Sequence, residues 1–283
     1  MQDIIQLVNK GRVVNLLPDF YMESRSCHEI CSILDEKLPY DIKIVIRNWE
    51  TPNTCNEKHI VIITSAEAHT YIPPEIYEDR CIAGFMHYYP KTFAYDPSES
   101  ALIKINKLYP LPLGSMRTFN APPYVPIKDR KYDFCFIGQL DPYRRMDFYN
   151  AVCSLRGNNY IHFYKGWNNG FSADHYAEVL SQSKIALVPC GSASLDTFRF
   201  YEAAECGCVI LSCEQNRYEF MNNFYADTTA FFCEDWKEAI KEIYYKYSME
   251  VSQEASENTR KAWENHLSPR ASANYILRKL GYE

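Results

Sequence analysis

Arg199 and Glu202 stand three residues apart in SLDTFRFYEAAECGCVILS (194–212), a stretch that otherwise reads as a helix followed by an apolar strand. Residues spaced by three share one face of a helix. A guanidinium can hold a phosphate through paired hydrogen bonds, and a carboxylate can accept both hydroxyls of a ribose. The pair therefore suits a nucleoside diphosphate. It is equally readable as a surface ion pair worth about 0.2–0.5 kcal/mol. A second basic group follows the strand-like FIGQ in FIGQLDPYRR (136–145). There Gly138 would let a ligand approach the backbone while Arg144 or Arg145 reaches its phosphates. The plain alternative is an ordinary strand-to-helix turn with two solvated arginines.

These groups need elements that bring them to one edge. KIALVPCG (184–191) reads as a strand ending at Gly191, which places the loop with Ser194, Asp196 and Thr197 at the carboxyl edge of a sheet. The helix after it would point its N-terminus at an anionic oxygen, with free N–H groups and the positive end of its dipole. Further strands are expected at KYDFCFIG, YIHFYKGW and CVILS, with a helix at SADHYAEVLSQS and another starting with Asp141 as cap and Pro142 at its first position. In the first half, RVVNLL, DIKIVIRN and HIVIITS read as strands, and CHEICSILDEKL as an amphipathic helix between the first two. Five prolines between 110 and 126 mark an interdomain linker. After TTAFFC the chain is expected to stay largely helical, from EDWKEAIKEIYYKY through RKAWENHL to SPRASANYILRKL.

Alternation of strand and helix predicts parallel sheets covered on both faces. The expected fold is α/β, with two Rossmann-like domains facing across a cleft and C-terminal helices crossing back to the N-terminal domain. The expected divisions are 1–125, 126–262 and 263–283. A length of 283 residues with 47% hydrophobic content can support two modest cores.

Net charge of −6 argues against a nucleic-acid binder, which needs a clustered Lys/Arg surplus. Eleven cysteines, an odd number, lie in apolar runs, so reduced thiols in a cytoplasmic setting are expected. Cys27, Cys31, Cys206 and Cys208 lack a second ligand pair at zinc spacing and read as core side chains; no metal site is expected. No apolar run approaches the ~20 residues that span a bilayer, and the first residues do not read as an export leader. Neither G-x-G-x-x-G nor G-x-x-x-x-G-K-[ST] occurs, which removes the best support for a dehydrogenase or a P-loop NTPase.

The stretch SKIALVPCGSASLDTFRFYEAAECGCVILS resembles the donor-binding segment of GT-B glycosyltransferases, specifically the exostosin-like kind. TSAEAHTYIPPEIY with YPLPLG resembles the acceptor-domain portion, and RKAWENHLSPRASANYILRKL the closing helices. The resemblance runs from about residue 60 onward; residues 1–59 match only as a generic Rossmann-like start. It implies a nucleotide-sugar donor, UDP-linked, a carbohydrate or glycan acceptor, and no required cofactor. It also implies Arg199 for the diphosphate, Glu202 for the ribose, and Gly138 and Arg144 at the first donor-domain turn. Many retaining relatives carry a glutamate eight residues before the ribose-binding one, where this chain has Ser194. The sugar-hydroxyl contact and the stereochemistry are therefore not carried over.

Glycosyl transfer releases a diphosphate, whose charge positioned cations can stabilise in place of a metal. No Asp-x-Asp occurs anywhere in the chain. Inversion, the outcome favoured here, also needs a general base near the acceptor. Asp19 and Glu67 are the candidates, with His69 as a donor contact; each follows a predicted strand, and each could instead cap a local turn. Two other readings are a nucleotide-sugar epimerase and a non-catalytic sugar- or nucleotide-binding module.

Overall fold

The computed structural model describes residues 8, 10–16, 25–48, 50–64, 73–88, 106–116, 118–139, 145–166, 170–191, 197–213, 218–242 and 251–282. The chain divides into two compact units, Met1–Arg117 with Ser268–Glu283, and Thr118–Leu267.

The first unit carries five parallel strands in the order β1 (Val13–Asn15), β2 (Lys43–Asn48), β3 (His59–Thr64), β4 (Cys81–Met86) and β5 (Leu108–Pro110). Every residue of β3 is buried, as are the last five of β2, which is why residues 60–63 and 44–46 show no polar alternation. Helix α1 (Arg25–Lys37) connects β1 to β2. Strand β5 lies at the start of the stretch expected to be linker. Its Pro110 is tolerated because β5 is an edge strand and Pro110 its last residue.

The second unit holds β6 (Tyr132–Gln139), β7 (Tyr160–Tyr164), β8 (Ser183–Val188), β9 (Val209–Ser212) and β10 (Ala230–Phe232), all parallel, in the spatial order β10-β9-β8-β6-β7. Between them run α2 (Met146–Val152), α3 (Ala173–Ser181), α4 (Phe198–Glu205) and α5 (Glu219–Asp227), followed by α6 (Trp236–Glu242) and α7 (Gln253–Ala262). Phe134, Phe136, Phe148, Leu187, Leu211 and Trp236 belong to its core.

After a π-helical turn (Trp263–Leu267), the last helix α8 (Pro269–Leu280) packs on α1 and touches β4 of the first unit. Its ends are written in the sequence. Ser268 accepts from Ala271 N at 3.2 Å, Pro269 takes the first turn, and Gly281 closes the helix at φ 79°. Ser172 and Ser252 cap α3 and α7 in the same way. Two Rossmann-like parallel units, with the final helix belonging to the first, give the α/β organisation expected from the sequence.

Candidate functional site

The strand order of the second sheet reverses at β6. The chain adds β7 on one side of β6 and then crosses to place β8 on the other, and open α/β sheets bind ligands at the carboxyl ends of strands beside such a reversal. The described strands of the first sheet run in sequence order and contain no such point.

At this switch the two central strands part. Pairing of β6 with β8 runs from Tyr132 opposite Ser183 to Cys135 opposite Ala186 and stops there. Strand β6 continues along β7 as far as Gln139, and β8 along β9 as far as Val188. Residues two apart on a strand point their carbonyls the same way, and buried carbonyls need donors. Those of Ile137 and Gln139 are met by guanidinium groups. Arg199 donates to Ile137 O from Nε (3.3 Å) and Nη2 (2.9 Å). Arg145 bridges the parted ends, donating to Gln139 O at 3.1 Å and to Cys190 O at 2.8 Å. Two arginines of the sequence reading thus converge on one strand edge.

Gly138 lies against Arg199. A Cβ there would lie 2.5 Å from Arg199 Nη2 and 2.7 Å from the Phe136 ring. Arg199 also stacks on Phe136, with its guanidinium carbon 4.8 Å from the ring centroid. The glycine makes room for the arginine. Strand β8 ends at Val188 rather than Gly191, and α2 runs from Met146 with Arg145 as its N-cap residue, while the helix start expected at Asp141 and Pro142 lies outside the described residues. Thr197 is the N-cap residue of α4, with extended backbone (φ −150°, ψ 137°) and no capping bond from its side chain.

Glu202 is 2% exposed, so the surface ion-pair alternative fails. The Tyr176 phenol of α3 lies near enough to feel its charge. Burial first, then the charge of Glu202, raises the Tyr176 phenol well above its ordinary value, and it stays a donor. Nothing in the spacing of 23 tyrosines singled this one out.

Arg144, Ser194, Asp196, Asp19, Glu67 and His69 lie outside the described residues. In the first unit, His87 follows β4 at its carboxyl end and is 1% exposed; its Nε2 has no hydrogen-bond partner among the described residues. Burial pushes this imidazole down to about 4, so it is neutral near pH 7. Its neighbour Tyr88 has φ 54°, the left-handed region that costs a non-glycine residue strain and clusters at functional sites.

The expectation of eleven reduced thiols is corrected. Cys190 and Cys213 form a disulfide with Cα atoms 6.2 Å apart, because each lies just past the end of one of two neighbouring parallel strands. The other nine cysteines are free and, except for Cys153, buried, including Cys27, Cys31, Cys206 and Cys208. Among the described residues no group of His, Cys, Asp and Glu is arranged to hold a metal ion, and no helix is long and apolar enough to cross a membrane.

No family model matches the chain, and no curated protein matches its sequence. Solved structures do. The GtfA/B complex matches with a TM-score of 0.48 at 12% identity over 90% of this chain, which spans 60% of that one. WaaG, a glycosyltransferase involved in lipopolysaccharide biosynthesis, matches with 0.47 at 11% identity over 93% of this chain and 99% of its own. A UDP-N-acetylglucosamine 2-epimerase from Listeria monocytogenes matches with 0.41 at 13% identity over 98% and 84%. None of these three reaches a TM-score of 0.5, and none by itself assigns this chain an activity.

Proposed function

We propose that the chain is a glycosyltransferase of the exostosin-like kind, which binds a UDP-linked sugar at the parting of β6 and β8 and passes the sugar to a carbohydrate acceptor. The observation that carries this reading is the pair of guanidiniums, Arg145 and Arg199, drawn to the strand edge where the sheet order reverses. A guanidinium presents five donors in a fixed fork that matches the oxygens of a diphosphate. Glu202, one helical turn beyond Arg199, would accept the ribose hydroxyls.

In the reaction the sugar–oxygen bond breaks as charge builds on the departing diphosphate. Arg199 and the N-terminus of α4 stabilise that charge, so no metal is needed in this scheme. Inversion is the favoured outcome, with Asp19 or Glu67 as base and His69 at the donor. Neutral, buried His87 adds a further imidazole able to accept a hydrogen bond or a proton in the first unit.

Thermal unfolding with and without UDP tests the reading. Nucleotide at about 100 times its Kd should stabilise the protein by about 2.7 kcal/mol. Arg199→Ala should abolish that rise. Melting unchanged by any common nucleoside diphosphate would overturn the assignment. Donor incubated without acceptor separates transfer from epimerisation, since an epimerase alters the sugar unaided. Failure of every acceptor to support transfer favours a binding module.

A further inference from the structure

We propose that the Cys190–Cys213 disulfide is a redox switch on nucleotide binding: oxidised, it holds Cys190 O where Arg145 is presented to a diphosphate, and reduction to two thiols releases that anchor and weakens binding. The inference rests on the nucleotide reading of the β6–β8 edge.

The bond begins where backbone pairing ends. The β8–β9 ladder closes with Val188 opposite Ser212, whose hydroxyl donates to Val188 O at 3.0 Å. Pro189 follows and has no N–H with which to extend the ladder. One residue further on, the disulfide continues the tie, joining Cys190 to Cys213 across 23 positions. Cys190 O accepts from Arg145 Nη2 at 2.8 Å, while Nη1 of the same fork donates to Gln139 O at 3.1 Å. These two anchors differ in kind. Gln139 is in the β6–β7 ladder opposite Tyr164, so the sheet fixes its carbonyl. Cys190 lies past its ladder, and its carbonyl is fixed by a bond that can be reduced.

Accessibility singles out the same pair. Cys190 and Cys213 are half-buried, whereas eight of the nine free cysteines are buried. Burial also holds the Cys31, Cys135 and Cys206 thiols above their ordinary value, so little of the nucleophilic thiolate forms there near pH 7. The reductant is a dithiol. Its thiolate attacks one sulfur of the pair and expels the other, and its second thiol then resolves the mixed disulfide. Two electrons and the two thiol protons pass to the sulfurs of Cys190 and Cys213, and the dithiol leaves as its own disulfide.

Titration calorimetry with UDP, in a Cys153→Ser background that removes the exposed free thiol, tests the switch. The oxidised protein should bind UDP about 3- to 10-fold tighter than the same protein in dithiothreitol, because an arginine that has lost an anchor must be ordered on binding. Reoxidation should restore the affinity. Cys190→Ser with Cys213→Ser should match the reduced protein and ignore dithiothreitol. In Arg145→Ala the redox state should make no difference, since the anchored group is gone. Equal affinity in the two states, or the same weakening in Arg145→Ala, overturns the switch. Unfolding of the reduced protein overturns it too and leaves the bond a structural staple. Should Arg145→Ala bind no UDP, the oxidised, reduced and serine forms still decide. Absence of UDP binding by the folded, oxidised protein sinks the nucleotide reading itself, and the switch with it.

Discussion

A Cβ at residue 138 would press on Arg199 and on the Phe136 ring that supports it, and the arginine can yield only by leaving Ile137 O. Gly138→Ala should therefore destabilise the protein by about 1–3 kcal/mol, the range for overpacking a well-filled site. It should also weaken UDP binding, because the displaced group is the one assigned to the diphosphate. Urea unfolding and nucleotide titration on the same variant check both effects.

His87 supplies the residue-scale prediction for pH. The native state holds it neutral, with its pKa lowered to about 4, whereas the unfolded chain titrates at about 6.5. The unfolded state binds the extra proton between these values, so stability present above pH 6.5 is lost as pH falls toward 4, by at most about 3 kcal/mol. Urea midpoints at pH 7 and pH 4.5 should fall less in His87→Gln than in the wild type. An identical fall in both would show that other groups carry the acid sensitivity.

At the scale of elements, the site is made by one interruption in a regular ladder. Strands β6 and β8 pair through Cys135 and then diverge, so the edge that receives the arginines exists only where the two strands have different outer neighbours. The Cys190–Cys213 disulfide ties the chain just beyond β8 to that beyond β9, and Cys190 O holds Arg145. Closing a loop of 23 residues is worth about 3 kcal/mol in the chain-entropy account. Cys190→Ser with Cys213→Ser should lower unfolding stability by about that amount or less. Alkylation of the unfolded, unreduced wild type should label nine cysteines, matching the nine free thiols. Labelling of all eleven would show the pair reduced.

For the molecule as a whole, the last helix belongs to the first unit although the chain reaches it from the second. Ile276 of α8 is fully buried, and α8 packs on α1. Ile276→Ala should cost about 2–5 kcal/mol by leaving a cavity. Hydrogen exchange should quicken in α1 and β4 while β6, β8 and β9 keep their protection. Equal loosening of both units would mean that they unfold as one cooperative body.

Much of the fold was readable locally. Apolar runs mark β2, β3, β6 and β8 because strands buried on both faces need no polar alternation, and Ser268, Pro269 and Gly281 announce the ends of α8 through their own backbone chemistry. Arg199, Glu202 and Arg145 could be selected from residue type and spacing. What spacing could not supply was adjacency across the sheet. The order β9-β8-β6-β7 decides that Arg145 and Arg199 share an edge, that Gly138 lies against the arginine, and that Cys190 meets Cys213. Periodicity is a property of a few consecutive residues, whereas strand order and helix packing follow from burying the whole chain at once.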